Sequence, residues 1–187
     1  MADDVYIIMN KPKGYVCSAA SDSHKTVYEL LPPKFQDLVK NAKRGHRLHT
    51  IGRLDADTTG LLLLTTDGKC SHNIAAEGLP KTYRATLLNE VTPDQQAQYQ
   101  TRASRGLTIP SEKKAPEQKA APAKLIFTSP NTCEITVTEG KFHEVRRIFR
   151  ALGNEVTELE RIAIGKLSLP PDLSPGEYRQ CTSFFDI

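Results

Sequence analysis

Apolar positions in this chain come mostly in short runs bounded by glycine, proline and charge, the pattern of strands joined by tight connections. Residues 5–9 (Val-Tyr-Ile-Ile-Met) are β-branched, aromatic or apolar and stop at the Lys-Pro-Lys-Gly turn of residues 11–14, which predicts a first strand followed by a basic turn. Residues 61–64 are four consecutive leucines; with no polar face left, they predict a strand buried on both sides. β-Type character returns at 81–88, with Tyr83, Ala85 and Leu87 on one face, and at 124–128 and 133–138 around a Ser-Pro-Asn hairpin signal. Two further stretches, 161–164 and 167–169, flank Gly165, and Pro170, Pro171, Pro175 and Gly176 break the chain before a last strand over 178–182.

Helical signals are fewer. Residues 26–31 predict a short helix ended by Pro32 and Pro33, 34–49 a polar, basic helix and exposed loop, and 71–77 a helix after the leucine strand. Thr92, Pro93 and Asp94 supply an N-cap, a first-turn proline and a first-turn acid for a helix to about Ser104, with Gly106 near its stop. Segment 141–152 carries two opposed faces: at helical spacing His143, Arg146, Arg147 and Arg150 fall on one side and Val145, Ile148, Phe149 and Leu152 on nearly the other, with Gly153 as the C′ residue. This predicts a docked apolar face and an outward cationic stripe suited to phosphate. Between about 110 and 123 the composition shifts to Lys, Glu, Ala, Gln and Pro without apolar period, predicting a mobile surface loop.

A length of 187 residues fits one sizeable domain or two small lobes sharing a sheet, and 39% hydrophobic content excludes disorder throughout. Net charge is only +3, so a nucleic-acid partner is argued from clustering: Lys40, Lys43, Arg44, His46, Arg47 and Arg53 precede Asp55. Cys17, Cys70, Cys133 and Cys181 have no paired spacing and read as reduced thiols of a cytoplasmic protein. The apolar run 5–9 is too short for a signal segment or a membrane span, so no membrane partner is expected.

The chemistry is expected at Asp55. It sits in Gly-Arg-Leu-Asp, in the loop entering the leucine strand, where a rigid core holds a carboxylate in place. Asp67-Gly68, by contrast, reads as an ordinary tight turn. Asp55 and Asp57 as a metal pair is a weak reading, because no further carboxylate cluster completes such a site in the sequence. A non-catalytic RNA-binding or ribosome-assembly protein would explain the arginines but leave the Asp55 loop and Tyr83 without roles.

Four ordered motifs, Gly52 to Asp55 with the trailing Asp-Thr-Thr-Gly of residues 57–60, Lys81-Thr-Tyr83, residues 139–147 (Glu-Gly-Lys-Phe-His-Glu-Val-Arg-Arg), and Gly165 with Pro175 to Arg179, together resemble the RsuA-type ribosomal RNA pseudouridine synthases over nearly the whole chain. The resemblance implies an α+β fold, the pseudouridine synthase catalytic fold, with a largely antiparallel mixed sheet, flanking helices and a cleft between lobes of about 1–80 and 81–187. The strands and helices read above are compatible with that. It implies Asp55 as the catalytic aspartate, Tyr83 as the tyrosine that stacks on the target base, Arg146 as the basic residue that pairs with the aspartate, and Arg53 as the arginine that helps hold the flipped nucleotide's place. His143, Arg147, Arg150 and Lys11 are the further candidate RNA contacts. Many members carry an S4-type RNA-binding domain ahead of the catalytic part, and none is expected here, since Met1 stands a few residues before the first strand.

Converting uridine to pseudouridine breaks the C1′–N1 bond, rotates the uracil and rejoins it through C5, with no net redox change, so no cofactor and no metal are expected. The nucleotide must leave its stack at a cost of roughly a few kcal/mol, which phosphate contacts offset. Asp55 as nucleophile at the ribose and Asp55 as base at C2′ both need an ionised carboxylate and both stay open. The expected partner is ribosomal RNA, with the small subunit favoured, and the expected state is a monomer.

Overall fold

The computed structural model describes residues 3–43, 45–113 and 115–184. Arg44 of the basic run and Lys114 of the 110–123 segment lie outside the described residues. The chain divides into two units: the residues up to Leu79 with those from Ala163 onward, and Pro80–Ile162.

The first unit contains β1 (Tyr6–Lys11), β2 (Tyr15–Val16), β3 (Lys25–Thr26), α1 (Pro33–Lys40), β4 (His49–Ile51), β5 (Thr58–Thr65) and α2 (Gly68–Ala76). The leucine run lies in β5, which pairs antiparallel with both β1 and β4, with Ile7 opposite Leu64 and Ile51 opposite Leu63. Alternation then sorts its side chains. Ile8, Leu61 and Leu63 join Ile51, Cys70, Ile74, Leu167 and Leu173 in one core, while Ile7, Met9, Leu62 and Leu64 on the other face are equally inaccessible to water. Burial on both faces is why no polar residue interrupts the run. Asp67, read as a plain turn residue, is the N-cap of α2: its carboxylate accepts the Lys69 and Cys70 amides and the Tyr6 hydroxyl. The helix expected over 26–31 is a 3₁₀ turn, Val27–Leu30, and Pro33 occupies the first turn of α1, where its missing N–H costs nothing.

The second unit contains β6 (Lys81–Leu87), α3 (Pro93–Ser104), β7 (Thr108–Ile109), β8 (Gln118–Lys119), β9 (Lys124–Phe127), β10 (Thr132–Val137), α4 (Glu144–Leu152) and β11 (Val156–Ile164), whose last two residues belong to the first unit. The sheet order is β11-β6-β10-β9, with β10 antiparallel to both β6 and β9. Thr92 and Gln95 form a full capping box on α3, and Gly153 ends α4 at φ 90°, a left-handed position that glycine adopts without strain. Ala85, Leu87, Ile135, Val145, Ile148, Phe149 and Leu152 fill the core.

After β11 the chain forms β12 (Leu167–Ser168) and β13 (Tyr178–Cys181). β12 pairs with the last residues of β11 and β13 with β1, so residues 163–184 group with the first unit and not with Pro80–Ile162. The open edge of β1 takes them. The 110–123 segment is also corrected: Thr108 and Ile109 pair with Lys119 and Gln118, Glu112 bridges Ala115, and Ala120 and Ala123 are buried, so the excursion is pinned by backbone pairing its composition does not reveal. None of the four cysteines is in a disulfide, and among the described residues no helix is long and apolar enough to cross a membrane.

Candidate active site

Asp55 lies in the connection between β4 and β5, half-buried, with Leu54 buried beside it and Arg53 and Asp57 exposed. The connection is held from beneath. The Lys11 Nζ donates to the carbonyls of Thr58 (2.8 Å), Asp55 (3.0 Å) and Pro12 (3.1 Å), with that of Ala56 at 3.4 Å, and the Gly14 amide donates to Ala56 (2.7 Å). An ammonium has three protons, and here each has a close carbonyl. The Thr58 amide closes the turn on the Asp55 carbonyl (3.1 Å). The Leu54 amide meets Cys17 Sγ at 3.4 Å, and that thiol faces the Leu54 carbonyl at 3.6 Å. Backbone on both sides of Asp55 is thus fixed, and the residue itself is only half-buried.

Lys11 was expected to touch RNA, and this is corrected: the side chain has no exposed surface. Burial pushes its ammonium below the ordinary lysine range, opposed by the Cys17 thiol and the Asp57 and Asp55 carboxylates. It is a structural cation that positions the Asp55 loop. Asn10, next to it, donates to the Leu173 carbonyl, and its own backbone takes the Gly176 amide, so the C-terminal Pro-Gly turn braces the same corner.

Tyr83 and the basic helix belong to the second unit. Tyr83 stands on β6 opposite Ile135, partly buried against the core. Arg146 is partly buried on α4 and donates from Nη1 to the Val156 carbonyl at 2.9 Å. Arg150 is exposed and meets Glu112 Oε2 at 3.0 Å, and the other oxygen of that carboxylate lies 3.1 Å from His143 Nδ1. Burial alone would raise the Glu112 pKa, but the hydrogen bond from His143 and the Arg150 charge outweigh it and hold the carboxyl below its usual range. Arg147 departs from the predicted stripe. It has no exposed surface, and its guanidinium donates to the carbonyls of Pro110 (2.8 Å), Phe142 (3.1 Å) and Pro116 (2.6 Å). β7 packs on α4 and covers the side that helical spacing alone leaves open.

Three groups escaped the sequence reading. Glu112 lay in a segment whose composition looked solvated. Cys17 carried no motif. Glu144, the first residue of α4, is buried and takes the Lys141 amide at 3.3 Å; burial, with Glu139 close by, pushes its carboxyl up to about 7. A glutamate in a helix first turn gives no sign of this. Asp55 and Asp57 belong to no group of three or more His, Cys, Asp or Glu able to hold a metal among the described residues.

Comparison with known proteins bears on both units. Residues 5–151 match the family described as RNA pseudouridylate synthase, a span that includes Asp55, Tyr83 and Arg146. The ribosomal small subunit pseudouridine synthase A of Salmonella typhimurium is 40% identical over 179 residues, 95% of this chain and 70% of that protein, and the enzyme of the same name from Escherichia coli K12 gives the same figures. A crystal structure of a pseudouridylate synthase superposes with a TM-score of 0.80 at 36% identity, over 97% of this chain and 71% of that one. Sequence and fold agree over nearly the full length, and the chain belongs to the RNA pseudouridylate synthase family.

Proposed function

We propose that this protein isomerises uridine to pseudouridine in ribosomal RNA of the small subunit, with Asp55 as the residue that acts on the ribose. The observation that carries the assignment is the Asp55 loop: the backbone carbonyls of Asp55 and Thr58 are tied to a buried ammonium and the Leu54 amide to Cys17, a preorganised support for a single reacting group. Relatives that are 40% identical and named for the small subunit support the choice of RNA. The glycosidic C1′–N1 bond breaks, C1′ rejoins at C5, and the proton displaced from C5 leaves to solvent while N1 gains one. Nothing is oxidised or reduced.

In this reading Tyr83 stacks on the target base, Arg146 supplies the positive charge that keeps the carboxylate ionised in a cavity emptied of water, and Arg53 and Arg150 meet the RNA backbone. The test is release of tritium from small-subunit ribosomal RNA labelled at uridine C5. The wild type is expected to release label, and Asp55→Asn to fold and bind the same RNA without release. Near-native turnover by that variant would refute the role of Asp55. RNA binding by the wild type without any release would mark a docking protein instead.

A further inference from the structure

Phe142 precedes α4 and has 43% of its surface exposed, the one aromatic among the exposed large hydrophobic side chains of the described residues. Its ring lies on the His143 imidazole, centroids 3.8 Å apart and planes within 15°. The imidazole is the inner layer: only 16% of its side chain is accessible, and its Nδ1 is held by Glu112. Against an ionised carboxylate that nitrogen carries its proton. The three groups form a stack, carboxylate to imidazole to phenyl, whose outer ring faces solvent.

The backbone is strained to build it. His143 is a non-glycine residue at φ 47°, a left-handed conformation that persists when its surroundings require it. Packing of the helix entry does not explain the ring. A hydrophobic residue just before an N-cap ordinarily closes on the fourth helical position, which here is Arg147, and the Arg147 guanidinium is turned to the carbonyls of Pro110, Pro116 and Phe142 itself. The surroundings are cationic: Arg150 is 42% exposed on the other oxygen of Glu112, and Lys113 beside Glu112 is exposed at φ 51°. An exposed aromatic side chain, with an arginine on the carboxylate that braces it and an exposed lysine next to that carboxylate in the chain, matches a base with its phosphates, because every base offers a π-face and every link a negative charge.

We infer that Phe142 is a stacking platform for an unpaired base of the RNA, separate from the Tyr83 position, with His143 as its backing and Glu112 as the brace. His143 then serves as a positioning residue, not as a phosphate contact. The inference rests on the RNA-modifying reading above, and the experiment separates the two.

Filter-binding affinity for a small-subunit ribosomal RNA transcript, and kcat and KM for tritium release from it, are measured for Phe142→Leu and Phe142→Trp, with thermal unfolding of each. Leucine keeps apolar contact with the imidazole but offers no ring. Loss of one stacked base weakens binding about tenfold, so Phe142→Leu is expected to raise Kd and KM by that factor with kcat unchanged, and Phe142→Trp to bind as tightly as the wild type. Unchanged Kd and KM in Phe142→Leu would overturn the platform. So would a fall in melting temperature and kcat at constant Kd, which marks a packing role, or failure of tryptophan to match phenylalanine. If the wild type binds but releases no tritium, the isomerase reading fails while the Kd series still decides the platform.

Discussion

Lys11 shows how a single residue changes meaning once folded. In sequence it is a cation in a basic turn next to a proline, and such residues usually solvate; in the structure it is sealed beneath the Asp55 loop with its protons on carbonyls 44 and 47 residues away. Burying a charge is costly unless its hydrogen bonds are made, and here backbone carbonyls of the Asp55 loop make them. Lys11→Met removes the donor and leaves the acceptors. Expected is a loss of about 1–3 kcal/mol of stability, read by urea unfolding, together with faster hydrogen exchange at the Thr58 amide and a fall in kcat larger than any change in KM. A variant with wild-type exchange at Thr58 and wild-type kcat would show that the loop holds its shape without the ammonium.

At the scale of elements, α4 is enclosed on a side where its sequence predicted solvent. Val145, Ile148, Phe149 and Leu152 dock as spaced, but Arg147 is covered by the β7–β8 excursion and bonds three of its surrounding carbonyls through Nε, Nη1 and Nη2. The helix and the excursion therefore stabilise each other through one planar fork, and Glu112 adds a second tie through His143 and Arg150. Lysine has the charge but not the fork. Arg147→Lys is expected to cost about 1–3 kcal/mol in urea unfolding, and, at a temperature where the variant stays folded, to leave the slope of log Kd against log salt for the RNA unaltered. A shallower slope would place Arg147 among the phosphate contacts after all.

At the scale of the whole molecule, stability carries a pH dependence set by Glu144. The folded chain holds that proton up to about 7, while an ordinary glutamate releases it at 4.5. Across that window the native state binds more protons than the unfolded one, so this group's contribution is full below 4.5, falls as pH rises, and is constant above 7. Glu144→Gln is expected to be more stable than the wild type at about pH 8, by up to about 3 kcal/mol, and to lose that advantage below pH 4.5, as read by paired denaturation curves; an equal difference at both pH values would mean that Glu144 does not titrate as placed. Much of the architecture was legible beforehand because it follows from local period and local caps. Four leucines with no polar face require burial on both sides, Thr92 followed by Pro93 and Asp94 starts α3 wherever it lies, and Gly153 stops α4 by its own backbone freedom. The motif around Asp55 was legible for the same reason, as a contiguous string. Three matters were settled only by tertiary structure. The edge of β1 drew β13 and with it the C-terminal residues into the first unit, the β7–β8 pairing pinned a segment that composition marked as mobile, and distant carbonyls decided that Lys11 and Arg147 are structural while Arg150 stays outside. A charge declares its sign in the sequence, but whether it meets water or backbone depends on groups that only the folded chain brings to it.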